Sequence, residues 1–133
     1  MAWNVNPSRD EIELLMESGY VYRDARRFAE ARDVFRGVRA LLPASEVAEV
    51  ALGTVCFEQG DFRGAAKHYR RAIEMNPNSA LAHAHMGELR LFEKDKDGAR
   101  ECLKKAVEVD PRGPVRPLVE SLREMVDVVR FQA

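Results

Sequence analysis

Two cysteines, Cys56 and Cys102, and one tryptophan, Trp3, are all that the 133 residues hold of these types. Cysteines so few and so far apart rule out a disulfide framework and suit a reducing compartment. No run approaches the roughly 20 apolar residues that a membrane span requires. The opening Met1-Ala2-Trp3-Asn4-Val5-Asn6-Pro7 has neither the basic flank nor the apolar stretch of a signal peptide, so a cytoplasmic protein is expected. A formal net charge of −1 offers no global attraction for nucleic acid or for an anionic membrane.

Reactive constellations are equally scarce. No phosphate loop, nucleophile elbow or dinucleotide fingerprint occurs. His83 and His85 are two positions apart on one helix, so their side chains point about 200° away from each other and make no metal pair. His85 and Glu88 share a face, but two ligands fall short of a zinc site. Asp95-Lys96-Asp97-Gly98 starts like a calcium loop, yet Ala106 stands where the closing glutamate belongs, so the segment reads as a helix-capping turn. Cys56 has no basic neighbour in sequence and reads as a buried, inert thiol. Neither an enzyme nor a cofactor site is expected.

What the chain does contain is a repeat. Pro43, Pro77 and Pro111 are spaced by 34 residues, as are Gly19, Gly53 and Gly87, and Ala31, Ala65 and Ala99. Phe35, Tyr69 and Leu103 form a fourth series, and Val38, Ala72 and Ala106 a fifth. A period in this range marks a helix–turn–helix unit that stacks on its own copies. Apolar content of 46% with 32% charged residues suits helices with one wet face.

Seven helices are predicted. Ser8-Arg9-Asp10-Glu11 has capping-box spacing and opens the first, to about Arg23; the second covers about Phe28–Leu41. Proline ends the pair. The second pair covers about 45–59 and Phe62–Met75, with Gly60 closing one helix and Asp61 capping the next. The third covers about 79–92 and Lys96–Val109. The units are thus 12–44, 46–78 and 80–112 within one domain, and a last helix at about 115–130, with Leu118, Leu122, Met125 and Val129 on one stripe, caps the stack. The glycines are expected to lie against the alanines of the partner helix. Arg32, Arg36 and Arg39 read as a solvated outer stripe.

Leu52-Gly53, Gly60-Asp61-Phe62, Ala65, Tyr69, Ala72 and Pro77 resemble the tetratricopeptide repeat consensus, over about residues 12–111. The resemblance implies an all-α, right-handed α-solenoid of three helix pairs plus a C-terminal capping helix, its concave groove lined by the first helix of each pair. Departures are Leu15, Glu49 and His83 where an aromatic is usual, Cys56 and Arg90 at the register of Tyr22, Lys96 at that of Phe28 and Phe62, and a third turn without glycine. More narrowly, Phe28-x-x-Ala31-x-x-x-Phe35, Leu52-Gly53 before Phe57-x-Gln59-Gly60, and His85-x-x-Glu88 are similar to bacterial class II type III secretion chaperones, although the longer N-terminal helical extension common there is missing. Those chaperones hold hydrophobic translocators in the cytoplasm before export.

By the family's register, the groove residues would be Met16, Tyr20 and Arg23 from the first unit, Val47, Val50, Thr54 and Phe57 from the second, and Leu81, Ala84, Glu88 and Leu91 from the third. The clamp that one branch uses for a terminal carboxylate is absent, its positions being Met16, Tyr20, Ala51, Leu81 and His85. The expected ligand is an extended apolar segment of a partner protein, with Tyr20 and Phe57 as anchors. A scaffold that bridges folded proteins is the alternative. The alternative for these apolar residues is packing against the terminal helix or a second copy of the chain, with core or dimer packing an equal reading for Val47 and Val50; nucleic acid binding and membrane insertion are not expected.

Overall fold

A computed structural model of the chain describes residues 6–128. Seven α-helices follow in order: α1 Arg9–Asp24, α2 Phe28–Leu41, α3 Val47–Glu58, α4 Phe62–Met75, α5 Ala80–Phe92, α6 Lys96–Val109 and α7 Arg116–Val128. Trp3, Val129 and the expected end of the last helix near residue 130 lie outside the described residues.

Local chemistry sets the boundaries. Ser8 and Glu11 form the reciprocal capping box at α1. Asp61 and Asp95 accept hydrogen bonds from the amides of Gly64 and Gly98, each at 2.9 Å, and so cap α4 and α6. Ser79 caps α5 through the Ala82 amide, so it precedes the helix rather than starting it. The second helix of each pair ends two residues before a proline. Leu42, Asn76 and Asp110 have ψ of 69°, 94° and 82°. The proline ring crowds the preceding residue out of the helical region, and the ladder stops there.

The same left-handed residue closes the first helix of every pair: Arg26 at φ 63°, Gly60 at 77° and Lys94 at 64°. Only Gly60 enters that region without a side-chain penalty.

The helices form two rows. The first helices touch in sequence, α1 on α3, α3 on α5 and α5 on α7, whereas α2, α4 and α6 make no close backbone contact with one another among the described residues. A row that touches lies on the inside of a curve, and a row that separates lies outside. The chain is an all-α helical-repeat solenoid whose inner surface belongs to α1, α3, α5 and α7.

Three apolar clusters follow one another along it, around Phe35, Tyr69 and Leu103. The glycine series serves these side chains rather than the alanines. A Cβ on Gly53 would run into the Tyr69 ring at 2.7 Å, and one on Gly87 into Leu103 at 2.8 Å. Sitting in the middle of the stack, α3 is buried without a break from Ala48 to Cys56. The Cys56 and Cys102 thiols are free, and burial pushes both up.

That burial includes a carboxylate. Glu49 accepts from Arg39 at 3.0 Å and bonds His68 Nδ1 at 2.9 Å, with Arg71 at 3.6 Å. Burial works to raise this carboxyl, but the His68 and Arg39 hydrogen bonds outweigh it and leave the group below its ordinary value. Arg39 is therefore no member of a merely solvated stripe, because it ties α2 to α3.

Candidate partner-binding face

On the inner face, α1 and α3 diverge around an apolar cleft of about 400 Å³. Met16, Tyr20 and Val47 line it, and Ile12, Val38, Leu42, Ser45 and Ala48 complete its walls. Glu13 and Glu17 stand at its rim. Tyr20 is held by its ring against Phe35 at 5.1 Å and under the Arg23 guanidinium at 4.8 Å. Burial raises the Tyr20 hydroxyl above its ordinary value despite the opposing pull of Arg23, so the phenol stays neutral and able to donate.

Arg23 also crosses to the next unit and donates to Thr54 Oγ1 at 3.0 Å, while Thr54 donates to the Ala51 carbonyl at 2.7 Å. Thr54 is buried, so it braces α1 on α3 and is not displayed. Val50 is likewise buried, packed among Tyr69, Met86 and Leu89. Phe57 joins an aromatic trio instead of an open channel, 5.4 Å from Phe62 and 5.0 Å from Phe92.

The third unit departs furthest from the expected open groove. Ala84 and Leu91 are buried with Val115, Val119, Leu122 and Val126 of the α7 segment, and Leu81 packs against the same cluster. The capping helix takes the place a fourth unit would occupy, and it covers these positions. Glu88 remains half-buried and meets His85 at 3.4 Å. Below it the Tyr69 hydroxyl is buried without a hydrogen-bond partner among the described residues. Of the eleven positions taken from the register, Met16, Val50, Thr54, Ala84 and Leu91 are buried, Met16 within the wall of the cleft, and the open apolar surface contracts toward the first unit.

Leu42 was missed although the repeat carried a signal for it. Asn76 and Asp110 occupy its register in the other units, so a leucine there is an unexplained apolar substitution that the cleft accounts for. His83, by contrast, contacts the Pro77 carbonyl at 2.8 Å. Among the described residues no group of three His, Cys, Asp or Glu is placed to hold a metal ion, and no helix is long and apolar enough to cross a membrane.

Residues 57–124, just over half of the chain, match the sequence profile of the tetratricopeptide repeat. The chain belongs to the tetratricopeptide repeat family. No curated protein matches it. Among solved structures, this TPR chain is 21% identical to the Yersinia enterocolitica type III secretion chaperone SycD in complex with a peptide of the translocator YopD. There the TM-score is 0.69, with 91% of this chain and 95% of that one covered. It is 22% identical to PcrH in complex with the chaperone binding region of PopB, with TM-score 0.69 and coverage of 90% and 97%. The first TPR of Spaghetti (RPAP3), bound to the HSP90 peptide SRMEEVD, is 18% identical, with TM-score 0.67 and coverage of 93% and 97%. At these identities the likeness is one of fold.

Proposed function

We propose that this TPR protein binds an extended apolar segment of a partner protein, and that the cleft between α1 and α3 is where the segment anchors. The observation that carries the reading is the cleft itself: about 400 Å³, walled by Met16, Tyr20, Val47 and their apolar neighbours, in a molecule whose other inner positions are largely filled. A space of that size accepts one or two large apolar side chains, and the Tyr20 hydroxyl at its edge supplies a donor for the ligand backbone. The role is binding without catalysis or cofactor, as for TPR units that hold peptides.

Within that reading, a holding chaperone for a secreted, aggregation-prone client is favoured over a scaffold between folded proteins. On a similar fold SycD holds a peptide of the translocator YopD and PcrH the chaperone binding region of PopB, and a greasy anchor site suits a client that is not yet folded. Such a role belongs in the bacterial cytoplasm. Tyr20→Ala is expected to weaken the complex by about 2 kcal/mol while circular dichroism shows the helices intact. Unchanged affinity in that variant would remove the cleft from the binding site. Co-expression separates the two roles: a chaperone keeps its partner soluble, whereas a scaffold leaves partner solubility unaltered.

A further inference from the structure

Several cations meet a carboxylate three or four positions away, Arg9 with Glu13, Arg27 with Glu30, Arg90 with Glu93 and Arg116 with Glu120, while others such as Arg32 and Arg36 of α2 meet none among the described residues. The outer helix α4 has the largest excess of cations over carboxylates of the seven helices. It carries Arg63, Lys67, Arg70 and Arg71 against a single carboxylate, Glu74. Arg71 reaches down to Glu49, but Arg63, Lys67 and Arg70 have no hydrogen-bond or ion-pair partner among the described residues. Like charges stacked three and four positions apart destabilise a helix by a few tenths of a kcal/mol per pair, so the arrangement works against folding.

The cationic row borders an aromatic edge. An open depression of about 540 Å³ is lined by Phe62, Arg63, Lys67 and Arg70, and its far side is Glu93, already engaged by Arg90. Phe62 lies 6.4 Å from Phe92, which is 51% exposed. Cations without partners and a half-exposed phenylalanine therefore lie side by side, in a patch that shares no residue with the cleft.

We infer that this outer face of α4 is a second docking surface, for a short acidic segment of a partner protein with a large apolar residue at one end. The apolar residue rests on the Phe62–Phe92 edge, and the carboxylates meet Arg63, Lys67 and Arg70. The eight-residue step from Arg63 to Arg71 is about 12 Å of helix, the reach of about four residues of extended chain. Asp61, Glu74 and Glu93 bound the patch, so a polyanion continuing past it meets carboxylates, and a nucleic acid or lipid surface fits poorly.

The test uses a labelled Phe-Glu-Glu-Glu-Glu peptide and the full chain, followed by fluorescence anisotropy. Binding is expected to weaken at least about tenfold in the double variant Lys67→Glu/Arg70→Glu and on raising salt from about 50 to about 300 mM. Phe-Lys-Lys-Lys-Lys should not bind, and Tyr20→Ala should leave the acidic peptide's affinity unchanged, which keeps this surface separable from the cleft. Thermal melts of the double variant check that it is folded. Any of three results overturns the inference: no binding by the wild-type chain, equal affinity in the folded double variant, or tighter, Lys67/Arg70-dependent binding of polyuridylate or phosphatidylserine vesicles.

Discussion

The first repeat and the third occupy the same registers and meet opposite fates. Val21 of α1 is 67% exposed, while its equivalents Val55 and Leu89 are 0% exposed. Leu14 is 63% exposed, while Ala48 and Ala82 are buried. The difference is positional: α3 and α5 each have a second helix from the preceding pair against them, and among the described residues α1 has none. At the other end α7 supplies the missing neighbour and seals Ala84 and Leu91. A repeat protein thus keeps apolar surface where its stack begins and loses it where a cap is added. The cleft lies on the other side of α1, toward α3, and Leu42, where the other units carry Asn76 and Asp110, forms part of its wall.

The widest test of the contrast is truncation at matched registers. Leu89→Ala should cost about 2–5 kcal/mol, read from chemical denaturation, because a fully buried side chain leaves a cavity. Val21→Ala should cost less than about 0.5 kcal/mol. If the two losses were equal, something would have to cover α1 in solution, and a concentration-dependent stability would expose it as a second copy.

A second contrast lies at the aromatic register, where Leu15 is part-exposed, His83 is bonded to Pro77 and only Glu49 is sealed. Glu49→Gln should lower stability by about 1–3 kcal/mol, less than a fully enclosed ion pair would lose because Arg39 and Arg71 reach solvent. The sign with pH follows from the depressed carboxyl. Its contribution is complete above the ordinary value of 4.5 and drains away as pH falls through the lower folded value. The wild type should therefore lose stability on acidification below about pH 4.5 more steeply than Glu49→Gln. Parallel pH profiles would mean that the cluster contributes no charge-dependent stability.

A smaller gain belongs to the turns. Lys94→Gly should raise stability by about 0.5–1 kcal/mol, because glycine takes a φ of 64° without Cβ strain. Arg26→Gly should act alike, and Gly60→Ala should do the reverse. A neutral Lys94→Gly would mean that unfolded-state entropy of the glycine cancels the relief.

Much of this was legible beforehand, for particular reasons. Ser8, Asp61 and Ser79 act through neighbours three residues away, and prolines act on the residue before them, so caps and ends are local chemistry. The site was less legible. Register alone assigned Val50, Ala84 and Leu91 to an open groove, yet the next first helix, or α7, lies on them. Phe57 carried the right residue type for an anchor but found Phe62 and Phe92, one of them 35 positions away. Glu49 was visible as a departure, but nothing linear announced that Arg39, His68 and Arg71 would converge on it.

By itself the amino-acid order determined that three helical hairpins form, where each begins and stops, and which faces are apolar, because these depend on contacts within a few residues. Only the stacked molecule decided which apolar faces stay open. Exposure depends on what lies next to a helix in space, and that is decided by the preceding pair, the capping helix and the spread between α1 and α3.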